Sequence, residues 1–192
     1  MSGFDDTIDA AFEPLRGRPG IDRSAALISN LADYGIVWVV LALIKGRRRG
    51  PRRRRAVASL GAAGVTSLVV VRASKTVVAR QRPEEHLEAR VRAPTSSSFP
   101  SGHTLAAFCT AFVLADSDVG TAAFVGFAGA VAVSRVHLRA HHPSDVLGGA
   151  VIGSILGLGL RPLVNVVAPG SRRRIGRPAR GLGPHGYLVR RL

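Results

Sequence analysis

Apolar and polar residues are segregated along this chain into long blocks. Residues Ala25 to Ile44, Ala56 to Ala73, Thr104 to Ala115, Val119 to Val133 and Val146 to Val167 are five runs dominated by Ala, Val, Leu, Ile, Phe and Gly. A helix rises about 1.5 Å per residue, so an apolar run of about 20 residues crosses the hydrocarbon core of a bilayer. The pattern therefore predicts an all-α, polytopic membrane helical bundle of about five transmembrane helices. The third and fourth runs are short for helices that face lipid alone, which places them among the others with their ends in a polar cavity. Asn30 and Asp33 make the first half of the first run polar and blur its start. Ahead of the spans, Phe4, Ile8, Ala11, Phe12 and Leu15 recur at helical spacing while Asp5, Asp6, Asp9 and Glu13 fall on other faces. This predicts a short amphipathic helix of a kind that suits the membrane interface, broken by Arg-Gly-Arg-Pro-Gly at 16–20. Gly61, Gly64, Gly126, Gly129, Gly148, Gly149 and Gly153 are read as points of close helix approach. No internal repeat is visible.

Charge then orients the bundle. Hydrophobic residues make up 46% of the chain beside a net charge of +15, a combination that a chain of this length tolerates only when the two classes are kept apart. Eight of the 27 basic residues lie between Lys45 and Arg55 and seven more follow Gly170. Cytoplasmic loops of membrane proteins are enriched in Lys and Arg, and five alternating spans put both blocks on that side. The acidic N-terminus, the loop from Lys75 to Gly102 and the loop from Ser134 to Asp145 then face away from the cytoplasm. This divides the chain into an N-terminal amphipathic helix at 1–20, a membrane domain at 21–169 and a basic, disordered cytoplasmic tail at 170–192. The acidic N-terminus lacks the cationic start and apolar core of a cleaved signal, so insertion is expected from the internal spans. Arginine blocks also contact nucleic acids, but no aromatic interleaving or recognition motif accompanies these. Topology and anionic lipid contact account for them, and no nucleic-acid partner is expected. A single cysteine, Cys109, excludes an intrachain disulfide or a thiolate metal cluster and reads as packing. Nothing in the pattern specifies an oligomeric state.

The two outward loops hold most of the unusual chemistry, in three segments: Lys75 to Pro83 (KTVVARQRP), Phe99 to His103 (FPSGH) and Ser134 to Asp145 (SRVHLRAHHPSD). Lys75, Arg82 and Arg135 are cations at the ends of apolar helices, where charge is costly and commonly functional. Phosphoryl transfer needs such cations, because charge spreads over the equatorial oxygens of the transferred group. Ser101 and Gly102 precede the third span and so sit at a helix N-terminus, whose free amides form an anion site. His103 beside them has a pKa range suited to protonating a leaving group. His141 and Asp145 share the i,i+4 spacing that stacks side chains on a helix face, although Pro143 predicts that the helix only starts there. A carboxylate bonded to one ring nitrogen would fix the tautomer and leave the other nitrogen free to attack phosphorus. The Ser and Cys alternatives lack a comparably placed base. Glu84, Glu85, His86 and Glu88 match no standard metal site and read as a solvated loop, as His185 reads as an inert tail residue.

Together the segments follow one pattern: Lys, six residues, Arg-Pro; then Pro-Ser-Gly-His; then Ser-Arg, five residues, His, three residues, Asp. Over roughly residues 20 to 167 the chain resembles the type 2 phosphatidic acid phosphatase superfamily, related to vanadium haloperoxidases and bacterial acid phosphatases. The resemblance implies that Lys75, Arg82 and Arg135 bind phosphate, that Ser101 and Gly102 close the cradle, and that Lys75 and Arg135 also stabilise the transition state. It further implies that His141 forms a phosphohistidine, that His103 protonates the departing alkoxide and then activates water, and that Asp145 orients His141. Neither metal nor other cofactor is implied. The expected partners are a lipid phosphate and the bilayer, in a bacterial cytoplasmic membrane. A polyprenyl phosphate or diphosphate of cell-envelope synthesis is the favoured substrate; phosphatidic acid, phosphatidylglycerol phosphate and a polyprenyl-phosphoryl sugar phosphate are the alternatives.

The chain departs from the commonest form of the third motif at His137, Arg139 and His142, where an aromatic, a small and an aromatic residue are usual. Arg139 and His142 are therefore candidates for substrate selection, Arg139 as a contact to a second phosphate or a sugar phosphate, set against a plainer reading as solvated rim residues. A catalytically silent lipid-binding protein and a soluble phosphatase are the competing classes. The intact motif residues oppose the first, and the apolar spans oppose the second.

Overall fold

The computed structural model describes residues 3–33, 38, 40, 50–83, 97–115 and 118–169. Among them every regular element is helical: α1 (Gly3–Phe12), continued by a 3-10 turn at Glu13–Leu15, α2 (Pro19–Asp33), α3 (Pro51–Val77), α4 (Gly102–Leu114), α5 (Asp118–His137) and α6 (Pro143–Val167). The second half of the first predicted span, the Glu84–Glu88 cluster and the basic tail lie outside the described residues.

Local chemistry sets the boundaries. Proline opens α3 and α6 at the position where its missing N–H costs nothing, and Gly50 precedes Pro51 with φ of 102°, a conformation that a Cβ would strain. Two helices run further than the apolar runs predict. α3 starts at Pro51 and carries Lys75 into its last turn, where a cation complements the helix dipole. α5 ends at His137, so Ser134, Arg135 and His137 belong to a helix and not to the loop expected from Ser134 onward.

α4 is the central helix. Thr104, Leu105, Ala107, Cys109, Thr110, Ala111, Val113 and Leu114 are all buried, and α4 packs against α3, α5 and, most extensively, α6. This meets the expectation that the short third run is enclosed. The core at its far end joins Trp38, Ala107, Ala111, Leu114, Phe124, Ala128 and Val131, with Trp38 edge-on to Phe127 at 5.5 Å between centroids. α2 packs on α5, tied by a buried hydrogen bond of 2.8 Å between His137 Nε2 and Asp22.

Glycine makes the α4–α6 contact possible, and only some of the predicted glycines take part. A Cβ on Gly149 would come within 2.7 Å of the Ser101 carbonyl oxygen, one on Gly157 within 2.6 Å of the Cys109 carbonyl oxygen, and one on Gly153 would collide with the Leu105 carbonyl. These three residues, four apart, form a seam along which one helix backbone rests on another. Gly148 accommodates the Phe99 ring in the same way. By contrast, among the described residues Gly61, Gly64, Gly126 and Gly129 have no neighbour within 4 Å of a built Cβ.

The apolar surface faces outward. α3 and α6 are each long and apolar enough to cross a bilayer, and only 22% and 17% of their most apolar 18-residue windows is buried, with Val65, Leu68, Val69, Val151, Ile155 and Leu163 more than half exposed. Water would drive such helices into a core, whereas hydrocarbon leaves them on the outside. α1 departs from the expected amphipathic arrangement at two residues: Asp5 is fully enclosed and Phe4 is 50% exposed, while Phe12 packs toward His137 as an apolar face would. Asp5 is turned onto the bundle because the start of α6 offers it a free amide and Arg80, beyond α3, a cation.

Gly153→Ala should therefore destabilise the protein by about 1–3 kcal/mol, the cost of overpacking a fixed contact, visible as a lower Tm in detergent. Gly61→Ala should be neutral or mildly stabilising, as expected where Gly loses more backbone freedom than Ala on forming a helix. Equal Tm values for the two variants would contradict the seam.

Candidate active site

The chemistry gathers where α4 and α6 begin, α3 and α5 end, and the segments 78–83 and 97–101 pass between them. The two helix starts are joined directly, because the Ser101 N–H donates to the Asp145 carbonyl at 3.0 Å. Ser101 caps α4 in extended conformation, its carbonyl accepting the Leu105 N–H. Gly102 and His103 thus occupy the first turn, where amide N–H groups have no partner within the helix.

His141 is 3% exposed and its ring is fixed at both nitrogens. Nδ1 lies 2.8 Å from the Ser98 carbonyl oxygen, which can only accept, so Nδ1 carries the proton. Nε2 is left with its lone pair, 3.3 Å from the Arg82 guanidinium. Arg82 is anchored by the Ala140 carbonyl at 2.7 Å and the Ser97 carbonyl at 3.3 Å. Arg135, 1% exposed, donates to Ser29 Oγ of α2. Lys75 lies within the electrostatic reach of Arg82 and Arg135, and His141 within that of Arg82, Arg135 and His103. The structure thus brings Lys75, Arg82, His103, Arg135 and His141 into one electrostatic neighbourhood beside the α4 N-terminus. Burial first, then Arg82 and Arg135, push the His141 pKa well below the ordinary 6.5, against the smaller opposing pull of the Ser98 carbonyl. At neutral pH the ring is neutral, as a nucleophile must be.

Asp145 reaches His141 differently from the direct bond that the spacing suggests. Its carboxylate stands 4.0 Å from Nδ1 and is fully enclosed by other donors: Ser98 Oγ, the His142 N–H at 2.9 Å and Arg80 Nη1 at 2.7 Å. Ser98 therefore stands between the pair, bonding Asp145 through its hydroxyl and His141 through its carbonyl. The physical reason is helix geometry: Asp145 is the third residue of α6 and folds back onto the backbone before the helix, as in a capping box.

Sequence reasoning missed Ser98, Arg80, Asp5 and Ser29. Arg80 lies two residues before Arg82 without the following proline that marks the motif, and a carbonyl acceptor leaves no mark on the side-chain pattern. Arg139 and His142, the candidates for selectivity, are engaged elsewhere. Arg139, in left-handed conformation with φ of 51°, donates to Glu13 at 2.8 Å and lies 3.6 Å from Asp9 of α1, while His142 is the buried N-cap residue of α6. Neither is a solvated rim residue. Among the described residues no group of three or more His, Cys, Asp or Glu side chains is placed to hold a metal ion.

A model of the PAP2 superfamily matches residues 54–167. Over 160 residues the chain is 32% identical to decaprenylphosphoryl-5-phosphoribose phosphatase of Mycobacterium tuberculosis, the match covering 83% of this chain and 87% of that protein. The protein of the same name in Mycolicibacterium smegmatis is 32% identical over 148 residues, 77% of this chain and 81% of its own. Among solved structures, LpxE of Aquifex aeolicus is similar with a TM-score of 0.66 at 26% identity, covering 82% of this chain and 94% of that one. A transmembrane PAP2-type phosphatidylglycerolphosphate phosphatase of Bacillus subtilis is similar in fold, with a TM-score of 0.65 at 24% identity over 90% of each chain.

In protein carrying 15N-labelled histidine, the His141 ring should give the Nδ1–H tautomer at neutral pH and titrate below pH 6.5. Arg82→Gln removes a cation that opposes protonation, so the midpoint should move upward. An Nε2–H tautomer, or a midpoint that falls in the variant, would contradict this geometry.

Proposed function

We propose that this chain, which belongs to the PAP2 superfamily, is a membrane lipid phosphatase that uses His141 as nucleophile on the phosphomonoester of a polyprenyl-phosphoryl sugar phosphate. The observation that carries the reaction is the fixed tautomer of His141: Nδ1–H is held by the Ser98 carbonyl and Nε2 is turned to Arg82. The Nε2 lone pair attacks phosphorus while the bond from phosphorus to the sugar oxygen breaks, and His103 gives its proton to that oxygen. Water then attacks the phosphohistidine, His103 takes a proton from it, the nitrogen–phosphorus bond breaks and inorganic phosphate leaves. Lys75, Arg82 and Arg135, with Ser101 and the Gly102 amide, receive the phosphoryl oxygens, and Lys75 and Arg135 meet the charge that grows on them in the transition state. These cations supply the electrostatic role that metal ions fill in other phosphatases, so the reaction is read as metal-independent.

Substrate choice rests on the relatives. Of the lipids that the motifs leave open, a polyprenyl-phosphoryl sugar phosphate is supported by two mycobacterial proteins named decaprenylphosphoryl-5-phosphoribose phosphatase, each more than four-fifths covered by the match. A polyprenyl diphosphate, phosphatidic acid and phosphatidylglycerol phosphate remain in the panel against which it is tested. The multi-pass arrangement and its sidedness are supported by α3, which has arginines in its first turn and Lys75 in its last. At 1.5 Å per residue, Arg53 and Lys75 are separated by roughly 33 Å, about one hydrocarbon thickness. With the basic end cytoplasmic, the site opens on the extracytoplasmic side.

Purified protein should release phosphate from decaprenylphosphoryl-5-phosphoribose faster than from the other lipids of the panel, in the presence of EDTA and with inhibition by vanadate. His141→Ala should lower kcat by on the order of 1,000-fold or more. Wild-type rates in that variant would remove the nucleophile assignment. Loss of activity on chelation, restored by a divalent cation, would remove the metal-independent one, and no release from any member of the panel would leave a lipid-binding protein.

A further inference from the structure

We propose that Asp5 and Arg80 are positioning residues for His141, so that the N-terminal helix α1 is a working part of the active site. The inference rests on the reading of His141 as nucleophile. Asp5 is fully buried, yet it stands on a short helix at the chain start with Phe4 beside it half exposed. Its carboxylate accepts the Ser144 N–H at 2.8 Å, the Ser144 hydroxyl at 2.9 Å and Arg80 Nη2 at 2.7 Å. It therefore sits on the N-terminus of α6, where the free amides and helix dipole favour an anion.

Arg80 connects this carboxylate to the site. Its Nη1 donates to Ser144 Oγ and to Asp145 Oδ1, both at 2.7 Å. One planar guanidinium is thus shared between two fully buried carboxylates, Asp5 and Asp145. From Asp145 the line continues to Ser98 Oγ, and from the Ser98 carbonyl to Nδ1 of His141 at 2.8 Å. Every joint but the last includes a charged group, and charge-assisted hydrogen bonds are the shorter and more directional kind. Asp5 fixes the plane of Arg80, Arg80 fixes Asp145, and Asp145 fixes the peptide that orients the nucleophilic ring.

The docking of α1 does not depend on Asp5 alone, which separates positioning from folding. Arg16, next to α1, pairs with Asp9 and Glu13 and donates to the carbonyls of Val136 and His137 at the end of α5, and Arg139 pairs with Glu13. A change at Asp5 leaves these ties in place and acts on Ser144 and Arg80, the groups that Asp5 holds beside Asp145.

The test uses the full chain in detergent and the lipid phosphate that the wild type hydrolyses fastest. Asp5→Asn and Arg80→Gln should each lower kcat about tenfold with KM changed less than about twofold, because the phosphate-binding groups are untouched. The double variant should be no slower than the slower single variant, as for two parts of one link, and Asp5→Glu should recover part of the rate. Unchanged kcat in the folded single variants, or losses that multiply in the double variant, would overturn the proposal. A drop in Tm with unaltered kcat would mean a structural role and overturn it equally. Should Asp5→Asn fail to fold, Arg80→Lys tests the same joint from the loop side, a tenfold lower kcat supporting the link and a wild-type kcat refuting it. His141→Ala separates the two levels: if it is active, nucleophile and positioning fall together. If it is inactive while Asp5→Asn matches wild type, only the positioning role falls.

Discussion

The Asp145 carboxylate is enclosed without access to solvent, and an anion in that position must be met by donors or it does not stay ionised. Its donors come from three separate places: Arg80 beyond α3, Ser98 before α4, and the backbone N–H of His142 before α6. Each of these segments carries part of the site, namely Arg82, Ser101 with Gly102, and His141. Satisfying one buried charge therefore draws together three stretches of chain that otherwise lie far apart in sequence. Removing one partner from a buried charged set typically costs about 3–5 kcal/mol, enough to hold these segments together.

The helices supply the frame for that convergence. Gly149, Gly153 and Gly157 let α6 rest on the backbone of α4, which brings the two N-termini side by side and permits the bond from the Ser101 N–H to the Asp145 carbonyl. Two positive helix ends then meet at one place. The start of α6 is covered by the protein's own carboxylates, Asp5 and Asp145, whereas no acidic residue stands in the first turn of α4. The division of labour follows from which helix start has an acidic residue within reach.

Much of this was legible in the sequence wherever a single segment determines the outcome. The apolar runs marked α3 to α6, Pro143 marked the start of α6, and the three motifs named the cations and His141. What escaped depends on contacts between distant segments. Asp5 and Phe4 read as the polar and apolar sides of a surface helix, and only Arg80, with Ser144 at the start of α6, turns Asp5 inward. Among the glycines, the i,i+4 repeat of 149, 153 and 157 was a usable signal, while Gly61 and Gly64 lacked such a repeat and meet no close neighbour among the described residues. Arg139 resembled a ligand for a second phosphate because its partners, Asp9 and Glu13, lie over 120 residues away and no local pattern joins them.

The interposed Ser98 has a chemical logic of its own. A carboxylate bonded directly to Nδ1 favours the charged imidazolium and, in a site as enclosed as this, would draw a proton onto Nε2, the atom that must attack. A neutral carbonyl fixes the same tautomer with a smaller pull, and Arg82 and Arg135 together with burial outweigh it, holding the ring neutral well below pH 6.5. On the proposed mechanism a phosphate dianion changes that balance, since it offsets the mutual repulsion of Lys75, Arg82 and Arg135. In the mechanism we propose, the ring becomes cationic as the nitrogen–phosphorus bond forms, and the Ser98 peptide, already polarised by its hydroxyl bond to Asp145, takes up part of that charge. The cation cluster thus keeps His141 unprotonated, and on the proposed mechanism it ceases to oppose the charge of the ring once a phosphate is bound.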